Sequence, residues 1–341
     1  MLYCVQLIQF GALAQPSHHW GPRPWKSLVT FGNSYTDEGR VEYFLNHNGD
    51  SPPVGWDQPV GRNSPWTGGY VWPHFASIPG NLTRYNYAVA GAMCSNNITQ
   101  RYYAPIGALY PSVLEYEIPA YVADSKYVTP SGKKFMEAAP DETVYAIWIG
   151  TNDLGTDGFL TDSQINNTTI SDYIDCVYQA LDAVYANGGR YFVIMNLAPL
   201  QLTPQYSDRG EEVSGCQDKN ATETKYRMWE SVVTVNDVYR YRTPYEGVIA
   251  RRYPGAKLAV MDMYGLISDI YYNPTRYLAA PANVTGWVKH CDANGENCQR
   301  LPNEASYLWF DELHPSERTD KIIGEEFVKV VEGSSQWADY W

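Results

Sequence analysis

The sequence predicts an α/β fold: a three-layer αβα sandwich with a central, mainly parallel five-stranded sheet. Three observations predict it. Short apolar segments rich in β-branched and aromatic residues recur along the chain, longer segments with helical spacing separate them, and turn residues bound each one. Parallel strands need crossovers that pack back onto the sheet, so alternation at this spacing favours a sheet covered on both faces.

The five expected strands are 28–31 (LVTF), 85–90 (YNYAVA), 143–149 (TVYAIWI), 190–196 (RYFVIMN) and 257–262 (KLAVMD). Between them, 171–186 (SDYIDCVYQALDAVYA) has helical spacing and is stopped by Asn187-Gly188-Gly189. Residues 224–251 read as a second helix, and Pro315 is expected to open a last one that runs to about Val331. With no linker, repeat or low-complexity tract, residues 15–341 are expected to form one domain.

With 341 residues, 44% of them hydrophobic, the chain has ample material for a packed core. A formal charge of −13 with scattered Lys and Arg excludes a nucleic-acid partner, because no basic surplus exists to neutralise phosphates. Residues 1–14 (MLYCVQLIQFGALA) are uncharged and end in a small-x-small pattern, Ala12-Leu13-Ala14, which reads as a signal peptide despite the missing basic n-region. No later stretch approaches the roughly 20 apolar residues of a membrane helix, so the mature chain is expected to be soluble, without a membrane partner; with the signal peptide it is expected to be secreted and extracellular, and it is expected to be a monomer. Six Asn-x-Ser/Thr acceptors, at Asn81, Asn97, Asn166, Asn167, Asn220 and Asn283, fit secretion and are candidate glycosylation sites. Once Cys4 leaves with the signal, Cys291 and Cys298 are expected to pair across a short turn-rich loop; Cys94, Cys176 and Cys216 then allow one more bridge in three pairings.

In open α/β sheets, chemistry gathers outside the carboxyl ends of the strands. There lie Gly32-Asn33-Ser34, Gly91, Gly150-Thr151-Asn152-Asp153, Asn196 and, after Met261-Asp262, a long segment leading to Asp311 and His314. A serine hydroxyl is a poor nucleophile until a base takes its proton, and a carboxylate usually holds that base. Of the six histidines, His314 alone follows an aspartate by three residues in a short polar turn, FDELHPSE; His18, His19, His47, His74 and His290 read as structural. A literal Gly-Asp-Ser at Gly49-Asp50-Ser51 has no strand to project it, whereas Ser34 follows one and precedes Asp37, Glu38 and a helical run to Leu45. No Gly-x-Ser-x-Gly elbow is present. Donors for a developing oxyanion are offered by the Ser34 amide, the Gly91 amide and the Asn152 side chain. No zinc or phosphate-loop spacing occurs, and Asp292, Asn294 and Glu296 read as a solvated turn, so neither metal nor cofactor is expected.

Together, GNSYTD at 32–37, NYAVAGA at 86–92, GTND at 150–153 and DELHP at 311–315 resemble the four ordered blocks of the SGNH, or GDSL, hydrolase superfamily. The resemblance implies Ser34 as nucleophile, Gly91 and Asn152 as oxyanion donors, and Asp311 with His314 as the remaining triad members. The tract from Asn63 to Pro73 (NSPWTGGYVWP) looks like one found in the lipase-like branch. Asn33 and Tyr35 depart from the usual Asp and Leu of the first block. Within the superfamily, the chain looks most like fungal secreted acetylesterases of carbohydrate esterase family sixteen, which implies an acetylated oligosaccharide as substrate. Eleven Trp and 29 Tyr suit sugar stacking, and Trp66 and Trp148 are expected to line the pocket. Two other readings remain: a lipase- or phospholipase-like esterase for longer acyl chains, and a non-catalytic carbohydrate-binding protein.

Overall fold

Six short segments pair into one sheet in the computed structural model, which describes residues 20, 21, 23–59, 66–208, 220–292 and 296–341. They are Ser27–Gly32 (β1), Thr83–Asn86 (β2), Thr143–Trp148 (β3), Tyr191–Met195 (β4), Lys257–Met261 (β5) and Ala338–Tyr340 (β6), ordered β6-β5-β4-β3-β1-β2. The first five are mutually parallel and β6 runs antiparallel to β5. The five expected strands are therefore present, with a sixth added at the edge. The order reverses at β1: the chain leaves it for β2 on one side and returns to β3 on the other. Such a reversal opens a crevice at the carboxyl ends of β1 and β3, where ligands bind in open α/β sheets.

Helices Arg40–Asn46 (α1), Trp72–Ser77 (α2), Ile118–Lys126 (α3), Ile170–Ala186 (α4), Ala221–Pro244 (α5), Met263–Tyr272 (α6) and Glu317–Val331 (α7) flank the sheet. In α4 the side chains of Tyr173, Ile174, Val177, Tyr178, Leu181 and Val184 are buried at three- and four-residue spacing, the stripe that lets an amphipathic helix cover a sheet. Residues 224–251 are helical only to Pro244 and continue as one wider turn, Tyr245–Ile249. The last helix does not open at Pro315. It begins at Glu317, where the Ser316 hydroxyl accepts the Thr319 N–H, while Pro315 bridges to Trp309. Among the described residues, no helix is long and apolar enough to cross a membrane.

One buried cluster runs through the sheet, from Leu28, Val29 and Phe31 in β1 through Val144 and Ile147 in β3 to Ile323 and Phe327 in α7. Cys94 and Cys176 form a disulfide that joins the segment after β2 to α4, and Cys291 pairs with Cys298 as expected. Cys216, the leading segment 1–14 and residues 63–65 of the NSPWTGGYVWP tract lie outside the described residues. Asn81, Asn97, Asn166, Asn167 and Asn220 are exposed and Asn283 is half-buried; the Asn220 side chain caps α5 by accepting the Glu223 N–H.

Candidate active site

Ser34 is placed by the way β1 ends. Gly32 has φ +147°, and a Cβ there would lie 2.2 Å from the Trp148 carbonyl oxygen, so only glycine lets the chain turn this close to β3. The Thr36 and Asp37 N–H groups both donate to the Asn33 carbonyl, at 2.9 and 3.0 Å, and the Asn33 side chain accepts the Tyr35 N–H at 3.0 Å. The resulting tight turn carries Ser34. It is not a helix cap: α1 starts at Arg40, and Asp37 accepts the N–H groups of Gly39, Arg40 and Val41.

His314 arrives from the far end of the chain. Its Nε2 lies 2.7 Å from Ser34 Oγ, and its Nδ1 lies 2.8 and 2.9 Å from the two Asp311 carboxylate oxygens. Asp311 Oδ1 also accepts the backbone N–H groups of Leu313 and His314, at 2.9 and 2.8 Å, which shapes the DELHP turn. Burial pushes the Asp311 carboxyl up, but the His314 ring and these N–H donors together hold it below the usual carboxylate range. An ionised Asp311 can only accept, so the Nδ1 proton faces it and Nε2 is left to accept from the Ser34 hydroxyl. Such an arrangement can pass a hydroxyl proton to the imidazole as the oxygen attacks.

Ser34, Gly91, Asn152, Asp311 and His314 line one cavity of about 260 Å³. Among the described residues, neither the Ser34 N–H nor the Gly91 N–H has an acceptor in the protein, so both can bind an incoming oxygen. Gly91 has φ +87°, and a Cβ there would meet the Tyr110 ring at 2.2 Å. One Nδ2 hydrogen of Asn152 serves the Ala92 carbonyl at 2.9 Å; the other remains for a ligand. Among the described residues, no group of three or more His, Cys, Asp or Glu side chains is arranged to hold a metal ion.

The GDSL-like lipase/acylhydrolase family profile matches residues 28–327. The chain belongs to this family. It is 43% identical over 331 residues to an acetylesterase of Hypocrea jecorina, covering 94% of this chain and 93% of that protein. An acetylesterase of Thermothelomyces thermophilus is 22% identical over 91% of this chain and 89% of its own length. Among solved structures, a lipolytic G-D-S-L family member from Veillonella parvula is 11% identical with a TM-score of 0.39, covering 89% of this chain and 96% of its own.

In this GDSL hydrolase, Trp66 lines the cavity, with its ring centroid 5.6 Å from that of His314. Trp148 does not. It is the last residue of β3, 1% exposed, and its indole packs edge-on against Tyr35 with centroids 5.0 Å apart. His47 and His74 stack on Tyr43 and Tyr70, His290 packs on Trp287, and Ser51 is exposed in a loop. Sequence reasoning gave no role to two residues that brace the site: Arg101, on the cavity wall, and Tyr35, which is buried and does not line it. Tyr35 donates its hydroxyl to the Leu313 carbonyl at 2.8 Å, tying the serine turn to the histidine turn, and its departure from the usual leucine was the available signal. Arg101 donates to Asn152 Oδ1 at 3.2 Å and pairs with Asp157 at 2.9 Å, which fixes the amide with its nitrogen toward Ala92. Nothing in the spacing around Arg101 marks it. Asp153 accepts from Cys94 N–H and Thr99 Oγ1, at 3.0 and 2.8 Å, linking the loop after β3 to the one after β2; burial pushes its carboxyl up to about 6.

Proposed function

We propose that the protein is a secreted serine esterase that removes acetyl groups from acetylated carbohydrates, xylo-oligosaccharides among them, through an acetyl-enzyme. Ser34 is the nucleophile, His314 the general base, and Asp311 orients the imidazole. The observation that carries this reading is the hydrogen-bonded chain Ser34–His314–Asp311 on the wall of a small cavity. As Ser34 Oγ attacks the ester carbonyl, its proton passes to His314 Nε2. The carbonyl oxygen then takes on negative charge and meets the Ser34 N–H, the Gly91 N–H and Asn152 Nδ2. His314 returns the proton to the departing sugar alcohol, and a water activated by the same imidazole releases acetate.

The acetyl preference is supported by the acetylesterase of Hypocrea jecorina at 43% identity. Trp66 is proposed to contact the sugar. Secretion and glycosylation are supported by the two disulfides and the exposed acceptor asparagines. The purified chain is expected to release acetate from acetylated xylo-oligosaccharides and to hydrolyse 4-nitrophenyl acetate far faster than the octanoate. Equal rates on both esters, with no acetate released from the oligosaccharide, would assign it to longer acyl chains instead.

Asn152→Ala is expected to lower kcat for 4-nitrophenyl acetate by about 10²- to 10³-fold, the usual cost of losing one oxyanion donor. KM should move little, because that hydrogen bond strengthens only as charge develops. A variant that keeps wild-type kcat would remove Asn152 from the oxyanion site.

A further inference from the structure

Three successive backbone N–H groups lead to the oxyanion position, and they are treated differently. Val89 N–H reaches Glu117 Oε1 at 3.3 Å and the Gly32 carbonyl at 3.1 Å; Ala90 N–H donates to Asp37 Oδ2 at 2.8 Å. Only the third, Gly91 N–H, is left for a ligand among the described residues. Glu117 has a second contact: its Oε2 accepts the Gly32 N–H at 2.8 Å. A single carboxylate thus holds the residue two before Ser34 and the residue two before Gly91.

Glu117 is fully buried and does not line the cavity. It sits where the wide turn Val113–Glu117 runs into α3, and that turn is itself fastened to the Gly91 segment by Val113 N–H to the Met93 carbonyl and Leu114 N–H to the Cys94 carbonyl, both at 3.1 Å. Burial pushes its carboxyl well above the usual range, while the Gly32 and Val89 N–H groups and the Arg40 charge pull it back. Burying an ionisable side chain is costly unless its oxygens are satisfied, and here the partners that satisfy them are the two backbone segments that must converge.

We propose that Glu117 is a positioning residue, whose carboxylate sets the spacing between the Ser34 and Gly91 amides so that both N–H groups aim at one oxygen. This rests on the reading of Ser34 and Gly91 given above. A Gln at this position keeps the shape but offers only one acceptor, and turns its NH₂ against the remaining N–H. The two amides would then no longer converge, while the hydroxyl and the imidazole stay in place.

The test uses the purified full chain and Glu117→Gln. Expected is a fall in kcat on 4-nitrophenyl acetate of about 10- to 100-fold at unchanged KM. The inhibition constant of phenylboronic acid, which forms a tetrahedral adduct on the serine, should weaken by a similar factor. Glu326→Gln is the control for burial alone: Glu326 is buried and bonded to Ser335 and Lys329 away from the cavity, so it should lower Tm and leave kcat and boronate affinity as they were. Glu117→Asp keeps the carboxyl group on a shorter arm, and should show the same kcat-selective loss if the Gln variant does not fold. Wild-type kcat and boronate affinity in whichever Glu117 variant folds, or failure of both variants to fold, would overturn the proposal and leave Glu117 a structural group. Labelling of the wild type by diethyl 4-nitrophenyl phosphate separates the two levels of the argument: no adduct on Ser34 sinks the nucleophile assignment, whereas an adduct on Ser34 with unaffected Glu117 variants sinks only this inference.

Discussion

Replacing Ser34 by alanine is expected to reduce kcat on 4-nitrophenyl acetate by a factor on the order of 10⁴ to 10⁶, with KM little changed. On the proposed mechanism the loss is large because the hydroxyl supplies the bond that splits hydrolysis into two easier steps; without it, only the oxyanion donors and binding would remain to accelerate attack by water. Folding should be spared. Ser34 sits on a turn held by the Asn33 carbonyl and side chain, and among the described residues its Oγ bonds His314, so alanine leaves the backbone network intact. Ser51→Ala provides the contrast, since Ser51 is exposed on a loop that no strand supports. Near wild-type turnover in the purified Ser34 variant, with activity lost instead on changing Ser51, would move the nucleophile to the Gly-Asp-Ser tripeptide.

Asp311→Asn is the second large effect, a fall in kcat of about 10⁴-fold at neutral pH. Asp311 Oδ1 must still serve the Leu313 and His314 N–H groups to preserve the turn, which leaves the new NH₂ facing His314 Nδ1. That contact is tolerable only if Nδ1 gives up its proton. The ring then carries hydrogen on Nε2 and can no longer accept from Ser34. Acid stability should change as well. The Asp311 carboxyl titrates below its unfolded value of about 3.9, so its contribution to stability is full above that value and is lost as pH falls through the lower folded one. The stability difference between wild type and Asp311→Asn should therefore be constant at neutral pH and shrink once the medium is more acid than about pH 3.9, as followed by Tm across a pH series. A difference that stays the same down to strong acid would mean that Asp311 is not held ionised by this pair.

What could be read from sequence was what sits at strand ends. Ser34, Gly91, Asn152 and the Asp311–His314 pair were placed by the rule that open α/β sheets gather side chains at the carboxyl edge, and the fold brings all five to one cavity. Trp148 was misplaced for a physical reason. Every residue of β3 is buried because helices cover both faces of the sheet, so alternation along the strand carries no information about which side chains reach the cavity. β6 was not foreseen because a three-residue edge segment has no period to detect; only its antiparallel pairing with β5 defines it. The second strand, Thr83–Asn86, starts earlier and ends sooner than expected, although beyond Asn86 the Tyr87 and Val89 N–H groups still reach the Thr30 and Gly32 carbonyls of β1. Glu117 itself gave no signal, since one glutamate before an Ile-Pro pair has no pattern that separates it from a surface residue.

The hydrogen bond between Ser34 and His314 joins residues 280 positions apart in the chain. A polypeptide emerging amino end first therefore displays its hydroxyl long before the imidazole that would activate it exists. On the proposed mechanism that oxygen stays dormant throughout synthesis, as do partly assembled forms that have not yet docked the carboxyl-terminal turn. The onset of ester turnover during refolding should accordingly trail the return of secondary structure, which makes hydrolysis itself a stopwatch for the last long-range docking event.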